Sequence, residues 1–594
     1  MTVKTSLEIS NDISKPEQLI TEHIDIWTSA ILAKSTSGRG SSKKYELYGI
    51  TKLRELILEL AVRGKLVPQD DNDEPASVLL EKIAAEKAQL IKEKKIKKTK
   101  ADSEVSEDEK FFELPNSWQW TRLNLITEIN PRNTDVDDKT KASFVPMTLI
   151  TTSYDGVHDS ESRPWSEIKK GYTHFANGDI AIAKITPCFE NSKAAIFRNL
   201  ENGIGAGTTE LHVARPFGDQ IESNFLLLYF KSPNFLTMGQ KLMTGSAGHK
   251  RVPRSFFESN PIPLPPLAEQ KRIVAKVDEL MLLCDQLEQQ TEASIDAHAT
   301  LVEVLLSTLT DSADADELAQ NWARISEHFD SLFTTEQSIE ALKQTVLQLA
   351  VMGKLVPQDP NDEPASVLVR DIMNTKSKDI EEGKVKKSKK LEEVNEESLF
   401  DLPVGWVWEQ MGNLGDTNTG LTYSPHDVDT IGTPVLRSSN IQKGKIDLSD
   451  LVRVNKQVKE SSLVHESDLL ICARNGSKAL VGKTAQIINL SEPMAFGAFM
   501  TIFRSNINNY IEVFLNSPIF RARLEGVATT TINQITQSNL RNTMCPLPPL
   551  AEQLRIVAKV DELMAICDQL KERLKQSKET QVQLTDALVD RALG

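Results

Sequence analysis

The chain repeats itself in a circular order, and that order limits the folds open to it. LAVRGKLVPQDDNDEPASVLLEKI at residues 60–83 returns almost unchanged as LAVMGKLVPQDPNDEPASVLVRDI at residues 349–372. LPNSWQW at 114–120 is followed later by LPVGWVW at 402–408, and PLPPLAEQKRIVAKVDELMLLCDQL at 263–287 by PLPPLAEQLRIVAKVDELMAICDQL at 546–570. Repetition on this scale means two related units. EHIDIW at 22–27 and EHFDSLF at 327–333 precede the two GKLVPQ copies, so joining the chain ends would complete a second copy of the central unit.

Between these frames lie two inserts, roughly 121–262 and 409–545, that resemble each other only faintly. Near-identical frames around divergent inserts divide the 594 residues into expected segments. These are an N-terminal helical region (1–83), a charged linker (84–110), a first globular domain (111–262), a central helical region (263–372), a second charged linker (373–398), a second globular domain (399–545) and a C-terminal helix (546–594). Both linkers run from basic to acidic and read as solvated. STSGRGSSKK at 35–44 reads as a polar loop. One hydrophobic core rarely supports a chain this long, so several domains are expected.

After the helix-stopping PP, Ile273, Val277, Leu280, Cys284 and Leu287 recur at spacings of four and three, as do Ile556, Val560, Leu563, Cys567 and Leu570. This is a coiled-coil seam. The circular order makes an antiparallel pair of equivalent helices the natural arrangement. At about 1.5 Å rise per residue, a helix of about 20 residues spans roughly 30 Å, close to one turn of duplex DNA.

The inserts read as mixed strands and short helices, which makes the fold class mixed α/β (α+β). GDIAIAKITPCF at 178–189 and SDLLICARNGS at 467–477 are buried-strand runs that end in polar, basic turns, and TPVLRSSNIQKGKID at 433–447 is a strand followed by a polar loop. TGSAGHKRVPR at 244–254 and ATTTINQITQSN at 528–539 are further polar loops. Arg, Lys, Asn and Gln suit base edges and phosphates, and Gly, Ser and Thr let the backbone approach them.

Signs of catalysis are missing. Five cysteines (Cys188, Cys284, Cys472, Cys545, Cys567) form no C-x-x-C pair, and the nine histidines form no ligand spacing. GSKALVGKT at 476–484 resembles a phosphate loop but has five residues between its glycines where the cradle needs four. A net charge of −15 disfavours wholesale coating of nucleic acid, so any DNA binding must come from local patches or from basic partners. No apolar run is long enough to span a bilayer and the N-terminus lacks a signal-peptide core, so a cytoplasmic protein is expected.

Doubled PLPPLAEQ-x-RIVAKVDEL and doubled LAV-x-GKLVPQ around two divergent inserts resemble the specificity subunit of type I restriction-modification enzymes, most like its IB subgroup. The resemblance covers essentially the whole chain. It implies two target recognition domains separated by long antiparallel coiled-coil helices in a pseudo-two-fold arrangement, each domain reading half of an asymmetric, bipartite double-stranded DNA target. The helices would act as a ruler, and the frames would dock two methylation subunits, which two restriction (motor-nuclease) subunits can join. S-adenosylmethionine, ATP and magnesium would belong to those partners, with no cofactor or metal bound by this chain and no catalysis of its own. Family-like recognition loops map onto Lys184, Asn191, Ser246, His249, Lys250 and Arg251 in the first insert. In the second they map onto Arg437, Asn440, Arg474, Asn475, Ser477, Asn533 and Gln534. The alternative is a scaffold that docks two identical partners and binds no DNA.

Overall fold

The computed structural model describes residues 16–33, 45–97, 104–313, 315–383, 390–392, 400–525 and 534–594. The stretch 35–44 and Asn533 lie outside them. The chain divides into two compact units, Met1–Ser294 with Ser577–Gly594, and Ile295–Gln576. The C-terminal segment therefore belongs with the N-terminal half, which is the circular order of the repeat made physical. The unit boundaries fall inside two long helices, Leu267–Asp311 and Leu550–Leu593, and not at the ends of the sequence segments 263–372 and 546–594.

GKLVPQD closes a helix and ties down two other elements. Helices Tyr48–Val62 and Glu336–Val351 end in a Schellman turn, with Gly64 and Gly353 in the left-handed region at φ 69° and 70°. The following N–H groups reach back, Lys65 to Leu60 O at 3.0 Å and Lys354 to Leu349 O at 2.9 Å. The lysine heads then cap the end of a long helix: Lys65 Nζ donates to Leu593 O at 2.8 Å, and Lys354 Nζ to Thr310 O at 2.7 Å and Ser312 O at 2.9 Å. Cations are favoured there because a helix C-terminus carries partial negative charge and unpaired carbonyls. Gln69 and Gln358 reach Glu269 and Glu552 at 2.6 and 3.2 Å, while Asp70 and Asp359 each accept the N–H of the residue two further on at 2.9 Å.

The other repeated phrases meet this turn. A Cβ on Gly64 would lie 2.6 Å from Pro115 and 3.0 Å from Trp118, and one on Gly353 would lie 2.5 Å from Pro403 and 3.0 Å from Trp406, so the LPxxW phrase sits on the bare glycine. Arg272 forks onto Asp73 at 2.7 and 3.2 Å, and Arg555 onto Asp362 at 2.6 and 3.3 Å. Repeated letters are thus repeated contacts.

All ten seam residues are buried. Their packing differs from a simple pair of equivalent helices. In the second unit Ile556, Val560, Leu563, Cys567 and Leu570 share one cluster with Ile339, Leu342 and Val346 of the frame helix and with Val302, Leu306 and Leu309 of the other long helix. The frame helix has its own apolar face at three- and four-residue spacing, so it satisfies the seam as well as a second spacer helix would. In the first unit, contacts Arg54–Asp285 and Asp73–Arg272 run in opposite senses along the chain, whereas Tyr48–Asp586 and Lys65–Leu593 run in the same sense. The two long helices therefore pass the frame helix in opposite directions.

The two inserts share one topology despite their dissimilar sequences. In the first, strands Thr127–Ile129, Leu211–Pro216, Ile180–Ala183 and Ala194–Ile196 form a four-stranded sheet in that order; in the second, Asp416–Thr419, Met500–Arg504, Leu469–Cys472 and Thr484–Gln486 do the same. A second sheet in each contains one parallel pair, Lys141–Val145 with Ile204–Gly207 and Thr433–Leu436 with Ala495–Phe496. Each insert is closed at its base by a short antiparallel pair, Gln119–Arg122 with Pro261–Leu264 and Val407–Gln410 with Met544–Leu547.

The charged linkers are partly helical. Ala76–Lys92 extends into segment 84–110, with Leu90 and Ile96 packed against the first insert, and Ala365–Glu381 extends into 373–398. Beyond these helices, Glu109 forks onto Arg122 at 2.8 and 3.0 Å. The first helix is held to its insert by Leu79, Leu80, Ile83 and Leu90, and the second by Lys376 Nζ, which donates to Gly412 O and Gly415 O at 2.9 Å.

Candidate nucleic-acid interface

In the first insert, strand Ile180–Ala183 is buried on both faces and leads into Lys184, which is half-buried. Lys184 N donates to Glu210 O at 2.9 Å, Val252 N to Lys184 O at 2.8 Å, and Thr186 N to Lys250 O at 3.0 Å. These bonds pin a hairpin onto the strand exit. The hairpin closes through Thr244 N to Arg251 O at 3.0 Å and Arg251 N to Thr244 O at 2.8 Å, and its tip exposes Ser246, His249 and Lys250. Lys184, Ser246, His249, Lys250 and Arg251 are thereby gathered. Asn191 is exposed on the neighbouring turn, where its N–H closes onto Pro187 O at 3.0 Å.

Arg251 is exposed but already held. Its Nε and Nη2 fork onto the Glu210 carboxylate at 2.8 to 3.2 Å, and Nη1 donates to His249 O at 3.1 Å. The Arg251 hydrogen bonds keep the Glu210 carboxyl below the usual carboxylate range. Behind the hairpin His212 stacks on Phe257 with ring centroids 5.1 Å apart, and burial pushes its imidazole down to about 4. It stays neutral near pH 7.

The second insert repeats this backbone arrangement with other side chains. Strand Leu469–Cys472 exits into Ala473 and Arg474, whose N–H groups both donate to Phe499 O at 3.0 Å, while Ile535 N donates to Ala473 O at 2.8 Å. Arg474 bridges Gln534 as Ile185 bridges Arg251. Arg474, Ser477 and Gln534 are exposed, and Asn475 links this loop to its neighbour through Ser438 Oγ at 3.3 Å. Arg437 is half-buried and donates to Asp450 Oδ2 at 3.0 Å.

Asn440, expected among the base-reading side chains, is 1% exposed. It accepts Arg437 N at 2.9 Å and donates to Asp447 O at 2.9 Å and Asp450 O at 3.0 Å. Both amide hydrogens are spent on folding its own loop, so it supports the surface and does not form it.

Under both surfaces lies the same ion pair. Asp179, on the turn before its strand, takes two hydrogen bonds of 2.8 Å from Arg215, and Asp468 takes two of 2.7 and 2.6 Å from Arg504. Burial raises the Asp179 carboxyl, against the Arg215 hydrogen bonds that lower it. These pairs align the inserts residue for residue, and the alignment exposes two positions that sequence reading missed. Glu210 and Phe499 each stand five residues before the paired arginine, and each offers its carbonyl to the strand exit. The signal was the D-x-x-x-x-K/A strand start and the terminal arginine, faint in either insert alone.

Segment 476–484 makes a short turn at Lys478–Leu480 and then enters strand Thr484–Gln486. A phosphate loop requires a helix there.

A family model described as the type I restriction modification DNA specificity domain matches residues 115–297 and 403–579. The EcoAI specificity subunit of a type I restriction enzyme from Escherichia coli is 54% identical over 588 residues, covering 97% of this chain and 100% of its own. The chain belongs to the type I specificity subunits. The EcoEI specificity subunit, also from Escherichia coli, is 52% identical over 600 residues, again covering 97% and 100%. The EcoKI subunit of Escherichia coli strain K12 matches at 35% over only 30% of this chain and 40% of its own, which places this specificity subunit in the EcoAI and EcoEI group. Each matched segment holds one insert and the start of one long helix, so the specificity subunit carries the family domain twice. Among its described residues no helix is long and apolar enough to cross a membrane.

Proposed function

We propose that this chain reads an asymmetric, two-part double-stranded DNA target, one half through each insert, and assembles the enzyme that acts there. The observation that carries the reading is the contrast between its two kinds of repetition. In the frames the same side chains make the same contacts, as with Lys65 and Lys354 or the Arg272–Asp73 and Arg555–Asp362 pairs. In the inserts the same backbone bonds present different side chains, Ile185, Glu210 and Arg251 against Arg474, Phe499 and Gln534. Two equivalent frames suit two identical partners, and two different surfaces suit two different half-sites.

The partners are then two methylation subunits, joined in the full complex by two restriction subunits, which bring S-adenosylmethionine, ATP and magnesium. The chain works in the cytoplasm and performs no chemistry itself. Its net charge of −15 makes the DNA affinity of the isolated chain weak and that of the complex strong.

Exchanging residues 121–262 for the insert of another family member tests this. Methylation-site sequencing of a host carrying the hybrid should show one half of the target changed and the other kept. Both halves altered, or neither, would refute the assignment of one half-site to each insert.

A further inference from the structure

Matching backbone bonds, counted from the Asp–Arg pairs, make three positions of the two inserts equivalent: 185 with 474 at the strand exit, 210 with 499 before the neighbouring strand, and 251 with 534 beside them. Each trio contains one arginine, but not at the same corner. In the first insert it is Arg251, forked onto Glu210; in the second it is Arg474, whose guanidinium lies 5.4 Å from the centroid of the Phe499 ring. The arginine has moved while the residue that holds it has kept its place.

Both ways of holding leave N–H groups for a ligand. Arg251 uses three of its five, two on Glu210 and one on His249 O. A ring face attracts the guanidinium charge without taking up its N–H groups as a carboxylate does, so the Phe499 contact leaves the Arg474 donors unspent. Phe499 is 61% exposed, a large apolar surface that burial does not account for. An exposed arginine loses much rotamer freedom when it binds, and one already held loses less.

We propose that Glu210 and Phe499 are equivalent positioning residues, each orienting one guanidinium, Arg251 in the first recognition domain and Arg474 in the second, to read a guanine edge in the major groove. The inference rests on the DNA-reading function proposed above. Guanine presents O6 and N7 as paired acceptors, the pattern that two adjacent arginine donors match. Arginine without its support still binds phosphate, so loss of the support acts on discrimination more than on attachment.

The experiment uses the full chain, assembled with the methylation subunits of its own system, on a library of randomised duplexes whose methylated members are sequenced. Glu210→Ala should reduce the preference for guanine at one position of one half-site by about tenfold or more, and Phe499→Ala should do so in the other half-site only. Phe499→Tyr, which keeps the ring, should retain the wild-type preference, and Glu210→Ala added to Arg251→Ala should change the preference no further. A uniform loss of methylation with the sequence preference intact would overturn the inference, as would a change spread over both halves. If the wild-type complex itself yields no two-part site, the DNA-reading function fails instead, which keeps the two failures apart.

Discussion

Replacing Glu512 by Gln should abolish a pH-dependent weakness of the second recognition domain. Glu512 lies on helix Asn508–Asn516, and burial pushes its carboxyl up to about 7; a hydrogen bond from Gln486 N opposes the shift and the charge of Asp561 adds to it. A carboxyl whose folded value lies above its unfolded value stabilises the fold fully below the unfolded value and loses that contribution as pH rises through the folded value. The window therefore opens near 4.5 and closes near 7. At about 1.4 kcal/mol per pH unit across that window the ceiling is roughly 3.5 kcal/mol, and partial exposure of the side chain reduces it to about 2 kcal/mol. Glutamine keeps the shape and an oxygen for Gln486 N, so Glu512→Gln should match the wild type at about pH 4 and exceed it by about 2 kcal/mol at about pH 8. Hydrogen exchange across Asn508–Asn516 at both pH values measures this locally, which suits a chain of two units better than one unfolding curve. An advantage of equal size at both pH values would refute the electrostatic reasoning, because only ionisation makes the difference depend on pH.

Lys354→Met removes two hydrogen bonds to the last carbonyls of Leu267–Asp311 and should cost about 1 kcal/mol, seen as faster exchange in the final turn of that helix and not in its middle. Gly353→Ala places a Cβ 2.5 Å from Pro403 at φ 70° and should destabilise the second unit by about 2 kcal/mol, lowering its thermal midpoint; an unchanged midpoint would show that the turn readily adopts another conformation.

The frames were the most legible part of the sequence, for a reason visible in their contacts. Bare Gly64 leaves room for the LPxxW phrase and Gln69 bonds to Glu269 of the PLPPLAEQ phrase, so these letters had to recur together. The seam was legible too, because burial at three- and four-residue spacing follows from helix geometry alone. Its partner was not: Ile339, Leu342 and Val346 compete for the same face as a second spacer helix, and periodicity states only that a face is buried. The linkers are solvated as their charge implies, with most described side chains of 84–97 and 373–383 exposed; their composition did not record that helices Ala76–Lys92 and Ala365–Glu381 continue into them.

The recognition surface divides along a similar line. The sequence pointed to Arg251, Arg474 and Gln534 because polar loops at corresponding places in two inserts are unusual, but it also pointed to Asn440, which is buried. An asparagine that reads a base and one that braces a turn have the same letter, and only the occupancy of its hydrogens separates them. Glu210 and Phe499 share no chemistry, so no comparison of letters could pair them; the bonds from their carbonyls to the strand exits do.

By itself the sequence determined that there are two units, that they are circularly related, and which residues each helix buries. These are local or periodic properties, set by which side chains repeat and at what spacing. Tertiary structure alone decided which helix fills each seam, which polar side chains remain available, and which unlike residues stand in equivalent places. Those outcomes depend on contacts between segments far apart in the chain, where many sequences satisfy one backbone and no spacing records the choice.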